Sequence, residues 1–450
     1  MKIVLLSTYD LGHQPFGLAS PARWLTKAGA AVHCVDLAVQ PFTAATSLLV
    51  QARLIAIYLP MHTATRLAVE VIQRIKRLNP TAHLCAYGLY APLNAAYLRQ
   101  LGIQTVLGGE FEQGLVDLYH NLRGQQSVEL PAVSWARQQF HLPDRSGLPP
   151  LADYAQVQVG QAETRLVGYT EASRGCKHTC RHCPIVPVYK GRFRIVQPEI
   201  VLADIRQQVA AGAQHITFGD PDFLNGPGHA VPLIESLHQE HPDLTYDVTI
   251  KIEHLLKYKD HLPILRDTGC LFVTSAVEAV DDHILTILDK GHTSADFVEV
   301  VTLFREVGLA LNPTFVTFTP WTTARGYAEL LATLDNLGLV EHVAPVQYAI
   351  RLLLPAGSRL LEVADIQALI RPFDQTILAY PWAHPDPRLD ELYETVFRLV
   401  KANQQSGASR RAHFEQVWQA AVGLIDPEEV PLRSSRPADI TMPTLSESWY

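Results

Sequence analysis

Three cysteines fall close together, Cys176, Cys180 and Cys183, in the segment EASRGCKHTCRHCPIVPVYKGRF. Thiolates are soft ligands that suit iron–sulfur clusters or zinc. With three and then two residues between them, they can reach a single cuboidal cluster from one short loop. Three thiols leave one iron of a [4Fe-4S] cluster without a cysteine. An open iron can take a substrate-like ligand, which a four-cysteine electron carrier does not readily do. A zinc site would instead use the three cysteines with His178 or His182 as fourth ligand. Structural zinc sites usually pair two short knuckles about a dozen or more residues apart. The sequence has no second knuckle, and His182 adjoins Cys183, where tetrahedral closure would be strained. The other cysteines, Cys34, Cys85 and Cys270, stand singly in apolar runs (AVHCVD, AHLCAYG, GCLFVTS) and read as small buried hydrophobes.

A loop that presents thiols needs a rigid frame, and the surrounding pattern supplies one. Strands are expected at residues 166–169, 215–218, 245–250, 271–275, 312–318 and 346–352. Helices are expected at 198–211, 231–240, 253–268, 281–288, 294–307 and 324–337. Six βα units over residues 164–357 are too few for a full barrel and suit a partial, open (β/α)6 barrel. Chemistry is then expected at the carboxyl ends of the strands, by analogy with full barrels. The cysteine segment directly follows the first of these strands.

Residues 1–122 show a separate alternation, with strands expected at 2–7, 31–35, 54–59, 84–87 and 105–107 and helices at 21–28, 64–78 and 91–101. This predicts an α/β, Rossmann-like doubly wound domain. It lacks GxGxxG and GxxxxGK[ST], so a nucleotide site there is unsupported. Residues 123–163, with Pro131, Pro143, Pro149 and Pro150, read as a linker that wraps over a neighbour. Residues 358–450 form a helical C-terminal region, with helices at 361–370, 388–405 and 410–424 and an extended tail over 426–450.

The 450 residues call for more than one core, and 48% hydrophobic against 18% charged residues supplies the apolar material. Lys plus Arg is 37 against 45 Asp plus Glu, a net charge of −8. A mildly acidic surface argues against general affinity for nucleic acid or an anionic membrane. The apolar run at residues 3–6 is too short for a signal peptide, and no stretch reaches the roughly 18 apolar residues of a membrane helix. A cytoplasmic protein is the expectation.

Cys176-Lys-His-Thr-Cys180-Arg-His-Cys183, on the first βα loop of a partial barrel, resembles the CxxxCxxC signature of the radical S-adenosylmethionine (SAM) superfamily. The resemblance covers roughly residues 160–360. It implies that the open iron binds the amino and carboxylate groups of SAM. An electron passed through the cluster then splits a sulfur–carbon bond, usually giving methionine and a 5′-deoxyadenosyl radical. His182, before the last cysteine, would lie against the adenine. In place of the family's GGE stands Phe218-Gly219-Asp220-Pro221-Asp222-Phe223, so Asp220 or Asp222 would accept from the SAM ammonium. The competing reading is a turn whose carboxylates cap the next element. Lys251 would face the SAM carboxylate. Glu278, in Ser275-Ala-Val-Glu278 and followed by Lys290-Gly291, would bond a ribose hydroxyl or a backbone group, or else start a solvent-facing helix. Arg351 reads either as a contact to a substrate anion or as a structural ion pair.

The N-terminal domain resembles the cobalamin-binding fold that often precedes this catalytic domain. Its D-x-H-x-x-G signature is met only approximately, by Asp10-Leu-Gly-His13-Gln-Pro-Phe-Gly17, and cobalamin stays open as a further cofactor. The stretches DLGHQPFGLASPA, PTFVTFTPWTT, IRLLLPAGSRLLE and TLSESWY resemble a group called CUAEP/CCAEP-tail radical SAM proteins. Members carry adjacent cysteines, or selenocysteine and cysteine, soon after such a terminus; this sequence stops at Trp449-Tyr450. That fits either a true absence or a selenocysteine codon read as stop. A related group includes an enzyme that moves the 3-amino-3-carboxypropyl group of SAM onto arsenic, which makes a soft acceptor a lead for group transfer here, alongside methyl transfer. The expectation is therefore a radical SAM enzyme acting on a small molecule or peptide, with a reductant such as flavodoxin or ferredoxin. The rival is an iron–sulfur electron-transfer or binding protein.

Overall fold

Residues 1–160, 163–438 and 440–447 are described by the computed structural model. Strands β1 (Lys2–Ser7), β2 (Ala31–Asp36), β3 (Leu54–Tyr58), β4 (His83–Tyr87) and β5 (Thr105–Gly109) pair in parallel in the order β2-β1-β3-β4-β5, with the short β6 (Val133–Ser134) added at the edge. Successive side chains in a strand point to opposite faces, so a sheet covered on both sides must be apolar throughout. Ile3 and Leu5 pack with Leu18 and Leu25 of the helix Phe16–Lys27 on one face. Val4 and Leu6 pack with Ala68 and Ile72 of the helix His62–Leu78 on the other. This is the doubly wound, flavodoxin-like order, in which the strand order reverses between β1 and β3; ligands of such folds bind outside the carboxyl ends at that point.

The second sheet runs β14-β13-β12-β11-β8-β7-β15, from β7 (Gln156–Val159), β8 (Glu163–Thr170), β11 (His215–Phe218), β12 (Thr245–Thr249), β13 (Cys270–Glu278), β14 (Ala310–Phe315) and β15 (Thr444–Leu445). Between β8 and β11 lies a separate two-stranded ribbon, β9 (Ser173–Gly175) with β10 (Phe193–Ile195). Strands β8 and β11 to β14 are parallel and curl around a core that includes Ile216, Tyr246, Val248 and Phe315. β7 and β15 extend the sheet in antiparallel fashion.

Several elements differ from expectation. Residues 346–352 are not a strand: Pro345 opens a 3₁₀ turn over Pro345–Ala349, and the segment meets the barrel through one bridge, Phe318 to Arg351. The helix expected at 253–268 is split into Ile252–Lys257, a 3₁₀ turn Lys259–His261 and Leu262–Asp267, the last with Pro263 in its first turn, where a missing N–H costs nothing. Residues 361–370 give a 3₁₀ turn Arg359–Glu362 and a four-residue helix Ala364–Gln367. The tail returns to the sheet: Leu445 is buried and pairs with Val157. Trp449 and Tyr450 lie outside the described residues. The 123–163 stretch binds across both sheets, since Arg145 donates to Gln14 Oε1, to the Tyr169 carbonyl and to Asp204. Among the described residues no helix is long and apolar enough to cross a membrane.

Candidate active site

The cysteine loop is an excursion between two paired strands. β9 leaves the end of the first barrel strand β8, the loop carries Cys176, Cys180 and Cys183, and β10 returns against β9 with Phe193 opposite Gly175. Gly175 has φ +71, and a Cβ there would stand 2.3 Å from the Arg192 carbonyl oxygen and 2.5 Å from the Tyr189 ring. Only glycine fits that approach. Cys176 and Cys180 are buried. Burial pushes the Cys183 thiol up to about 12, with the neighbouring Cys180 and Cys176 adding to the rise, and burial raises Cys176 as well. Cys176 and Cys183 so placed are costly as thiolates unless a cation joins them. One nearby charge does: Lys251 Nζ, at the end of β12, lies 3.7 Å from Cys180 Sγ. Asn225 receives the Lys177 backbone N–H at 3.2 Å and lies 3.8 Å from Cys176 Sγ, tying the loop to the element after β11.

The other expected residues surround this loop in two groups. His182 Nε2 is 2.9 Å from Glu278 Oε1, and Lys290 Nζ donates to the same oxygen at 3.3 Å. Burial alone would raise the Glu278 carboxyl, but the Lys290 ammonium and His182 hold it down to about 2. Glu278 is a non-glycine residue at φ +72, a strained backbone position of the kind found at functional sites. In the second group, Asp222 is fully buried, with neither carboxylate oxygen accepting an aligned hydrogen bond. Its Oδ2 lies 2.6 Å from His254 Nδ1 and 3.7 Å from His178 Nε2. The ligand atoms of His178, Asp222 and His254 all fall within 4.8 Å of one another, a donor set that could hold a divalent ion. Asp220 stands apart from both groups. Its oxygens accept the Ala172 N–H at 2.8 Å and the Ser173 hydroxyl, which anchors the start of β9, and burial raises its carboxyl to about 7. Arg351 resolves as a structural ion pair, 2.7 Å from Asp390 and stacked 3.8 Å above Trp382.

Sequence reasoning passed over His254, Asn225 and Arg174. His254 had a signal, since it sits three residues past Lys251 in the first turn after β12. Arg174, two residues before Cys176, is buried and paired bidentately at 2.7 and 2.9 Å with Glu112, the first residue of the helix that follows β5; it also meets Glu171 at 2.6 Å and Glu110 at 3.6 Å. Nothing in the local sequence shows that partner. Between the two sheets lies a cavity of about 330 Å³, walled by the loops after β1, β3 and β5 on one side and by Glu171, Gly175 and Ile185 on the other.

The residues fit a [4Fe-4S] cluster with an open iron. Among the described residues the three cysteines are not one of the sets whose donor atoms converge on a single ion, as a zinc site would need, while they share one buried loop beside a lysine. A corrinoid fits less well. The cavity is at the small end of drug-sized pockets, roughly 300–1,000 Å³. His13, where such a domain would present a cobalt ligand, is buried and stacked on Tyr169 with ring centroids 4.9 Å apart.

Comparison with known proteins gives three findings. A sequence model described as the radical SAM superfamily matches residues 170–323. The tRNA-2-methylthio-N(6)-dimethylallyladenosine synthase of Herpetosiphon aurantiacus is 25% identical over 179 residues, which are 36% of this chain and 39% of that protein. This chain thus spans about two fifths of the length of the curated relatives it matches. Two solved structures share the fold. The cobalamin-dependent S-adenosylmethionine radical enzyme OxsB, with aqua-cobalamin bound, has a TM-score of 0.69 at 14% identity, covering 89% of this chain and 67% of that one. The radical S-adenosylmethionine methyltransferase TsrM from Kitasatospora setae, with tryptophan substrate and a SAM analog bound, has a TM-score of 0.65 at 15% identity, covering 98% and 93%.

Proposed function

Since this chain belongs to the radical SAM superfamily, we propose that it reductively cleaves SAM at a [4Fe-4S] cluster held by Cys176, Cys180 and Cys183, and so modifies a small molecule or peptide. The observation that carries this reading is three thiols on one loop at the barrel mouth, those of Cys176 and Cys180 buried, with Lys251 beside Cys180. When bound, the cluster supplies the electron that breaks a sulfur–carbon bond of SAM. The chain's own groups bind and orient. Lys251 lowers the cost of thiolate charge and faces the SAM carboxylate. Asp222, buried with both oxygens lacking an aligned donor, takes the SAM ammonium. Glu278 fixes His182 against the nucleoside end, while His182 Nδ1, buried without a partner, remains for the ligand. Asp220 positions β9 and with it the cysteine loop.

The substrate sits in the cavity between the sheets, beside the cysteine loop. The electron comes from a flavodoxin or ferredoxin, and the protein works in the reducing cytoplasm. The test is anaerobic reconstitution followed by electron paramagnetic resonance of the reduced cluster with and without SAM. A changed signal, and release of 5′-deoxyadenosine or of a methyl- or carboxypropyl-transfer product, is expected. An intact cluster whose signal ignores SAM would make the chain an electron carrier instead.

A further inference from the structure

The acidic side chains lining the cavity between the sheets outnumber the basic ones, and burial raises the carboxyls of Asp10, Glu171 and Asp220 above their ordinary range. Asp10, Glu171, Asp220 and Asp247 line it, against one guanidinium, that of Arg174. That guanidinium is already claimed by Glu112 and Glu110, which lie outside the lining. His13 adds no countercharge, because burial pushes its imidazole down to about 4. Three of the four carboxylates have partners: Glu171 pairs with Arg174, Asp220 accepts from Ala172 and Ser173, and Asp247 accepts from His215 at 2.9 Å and Thr217 at 2.6 Å. Asp10 is different. It is 7% exposed, and its Oδ2 has no hydrogen-bond partner. A buried acceptor left unpaired is costly, so a donor arriving from the cavity would be favoured there. Tyr58 and Tyr169 add aromatic walls, whose faces attract cations.

We propose that this cavity binds a small organic ammonium compound, with Asp10 receiving the charged nitrogen and Tyr58 and Tyr169 flanking its apolar part. The ligand then sits against Gly175 and Ile185, the residues that frame the cysteine loop, so an amine is the class of substrate presented to the SAM chemistry. This identification rests on the cavity being the substrate site of the radical SAM enzyme proposed above.

The test uses the anaerobically reconstituted full chain with three matched probes: phenethylamine, phenethyl alcohol and phenylacetate. Calorimetry is expected to show the amine binding at least about tenfold tighter than the alcohol, a difference of about 1.4 kcal/mol, and no binding of the acid. Asp10→Asn is expected to weaken the amine about tenfold and leave the alcohol unchanged, with thermal melting confirming that the variant folds. Equal affinity for amine and alcohol, binding of phenylacetate, or an Asp10→Asn variant that keeps the amine's affinity would each overturn the assignment. So would hydroxocobalamin that survives desalting and expels phenethylamine, since the space would then belong to a corrinoid. Paramagnetic resonance with SAM on the same sample separates the two readings. Amine preference without a SAM effect sinks the proposed function and leaves the cavity an amine site without that substrate role, and a SAM effect without amine preference sinks this one.

Discussion

The imidazole of His182 and the carboxylate of Glu278 meet at 2.9 Å, joining the residue before the last cysteine to the end of a strand 96 positions away. Lys290 closes the arrangement from the same buried side. A short loop alone would leave His182 free to rotate; this pairing fixes its ring, and the strained φ of Glu278 shows the barrel holding the carboxylate where relaxed backbone would not.

Glu278→Gln leaves Lys290, 3% exposed, without its counter-charge. The Glu278 carboxyl falls from 4.5 to about 2 on folding, so its stabilisation is fully present above 4.5 and is lost as pH falls toward 2. Near pH 7 the substitution should cost about 3 kcal/mol, since each tenfold change in proton affinity is worth about 1.4 kcal/mol. Thermal melts of both proteins should differ clearly at pH 7 and converge below pH 3. A gap of equal size at both pH values would refute the assignment of charge.

Replacing Cys176, Cys180 or Cys183 singly by alanine should abolish the brown cluster absorbance and drop iron from about four per chain to near zero after anaerobic desalting. His178→Ala and His182→Ala should retain iron, because neither imidazole is a ligand in an open-iron site. If either histidine variant lost metal as completely as the cysteine variants, the cluster would have four protein ligands.

Most of the frame could be read in advance because its periodicities are local. β1 and β11 and the helix Ser294–Val307 begin and end where the alternation of apolar residues says they should. Two of the longer helices were missed for physical reasons. Phe42–Gln51 (FTAATSLLVQ) has no charged face to mark its period, and Glu112–Leu122 carries Gly114 in its first turn, which weakens a helical reading. Strand 346–352 looked like the sixth of the barrel from its apolar run, but Pro345 diverts it. At the site, the cysteines announced themselves through spacing. The roles of Asp220 and Arg174 depend on partners 47 and 62 residues away and could not be read from the chain alone.

Gly175→Ala tests the geometry of the loop. The added Cβ would meet backbone of Arg192 at 2.3 Å, in a conformation that side chains rarely adopt. Because the clash is with backbone, the loop must shift, and the cost should exceed the roughly 1 kcal/mol of αL strain alone. Iron retention should fall well below that of Gly124→Ala, a glycine of equally positive φ (+70) with nothing within 4 Å. Equal iron in the two variants would show that the approach of β9 to β10 does not set the cluster.

Arg174 binds the cysteine loop to the N-terminal sheet, and its removal should reach both. Phe111, Phe140 and Phe16 surround the guanidinium at 4.9, 5.0 and 5.5 Å, so its charge is shielded from water and its three acidic partners depend on it. Even with Arg174 present, burial raises Glu110 to about 7. Breaking a buried pair by removing one partner typically costs about 3–5 kcal/mol, because the remaining charges stay buried. Arg174→Met should therefore lower the melting temperature sharply and loosen iron binding. Arg174→Lys should fall between, since one ammonium cannot reproduce the two bonds to Glu112. In Arg174→Met/Glu112→Leu part of the loss should return, because one uncompensated carboxylate is gone while Glu110 and Glu171 remain. The measurements are thermal melting and iron content on the same preparations. A methionine variant that melts with the parent and keeps its iron would show that the two sheets hold the loop without this residue.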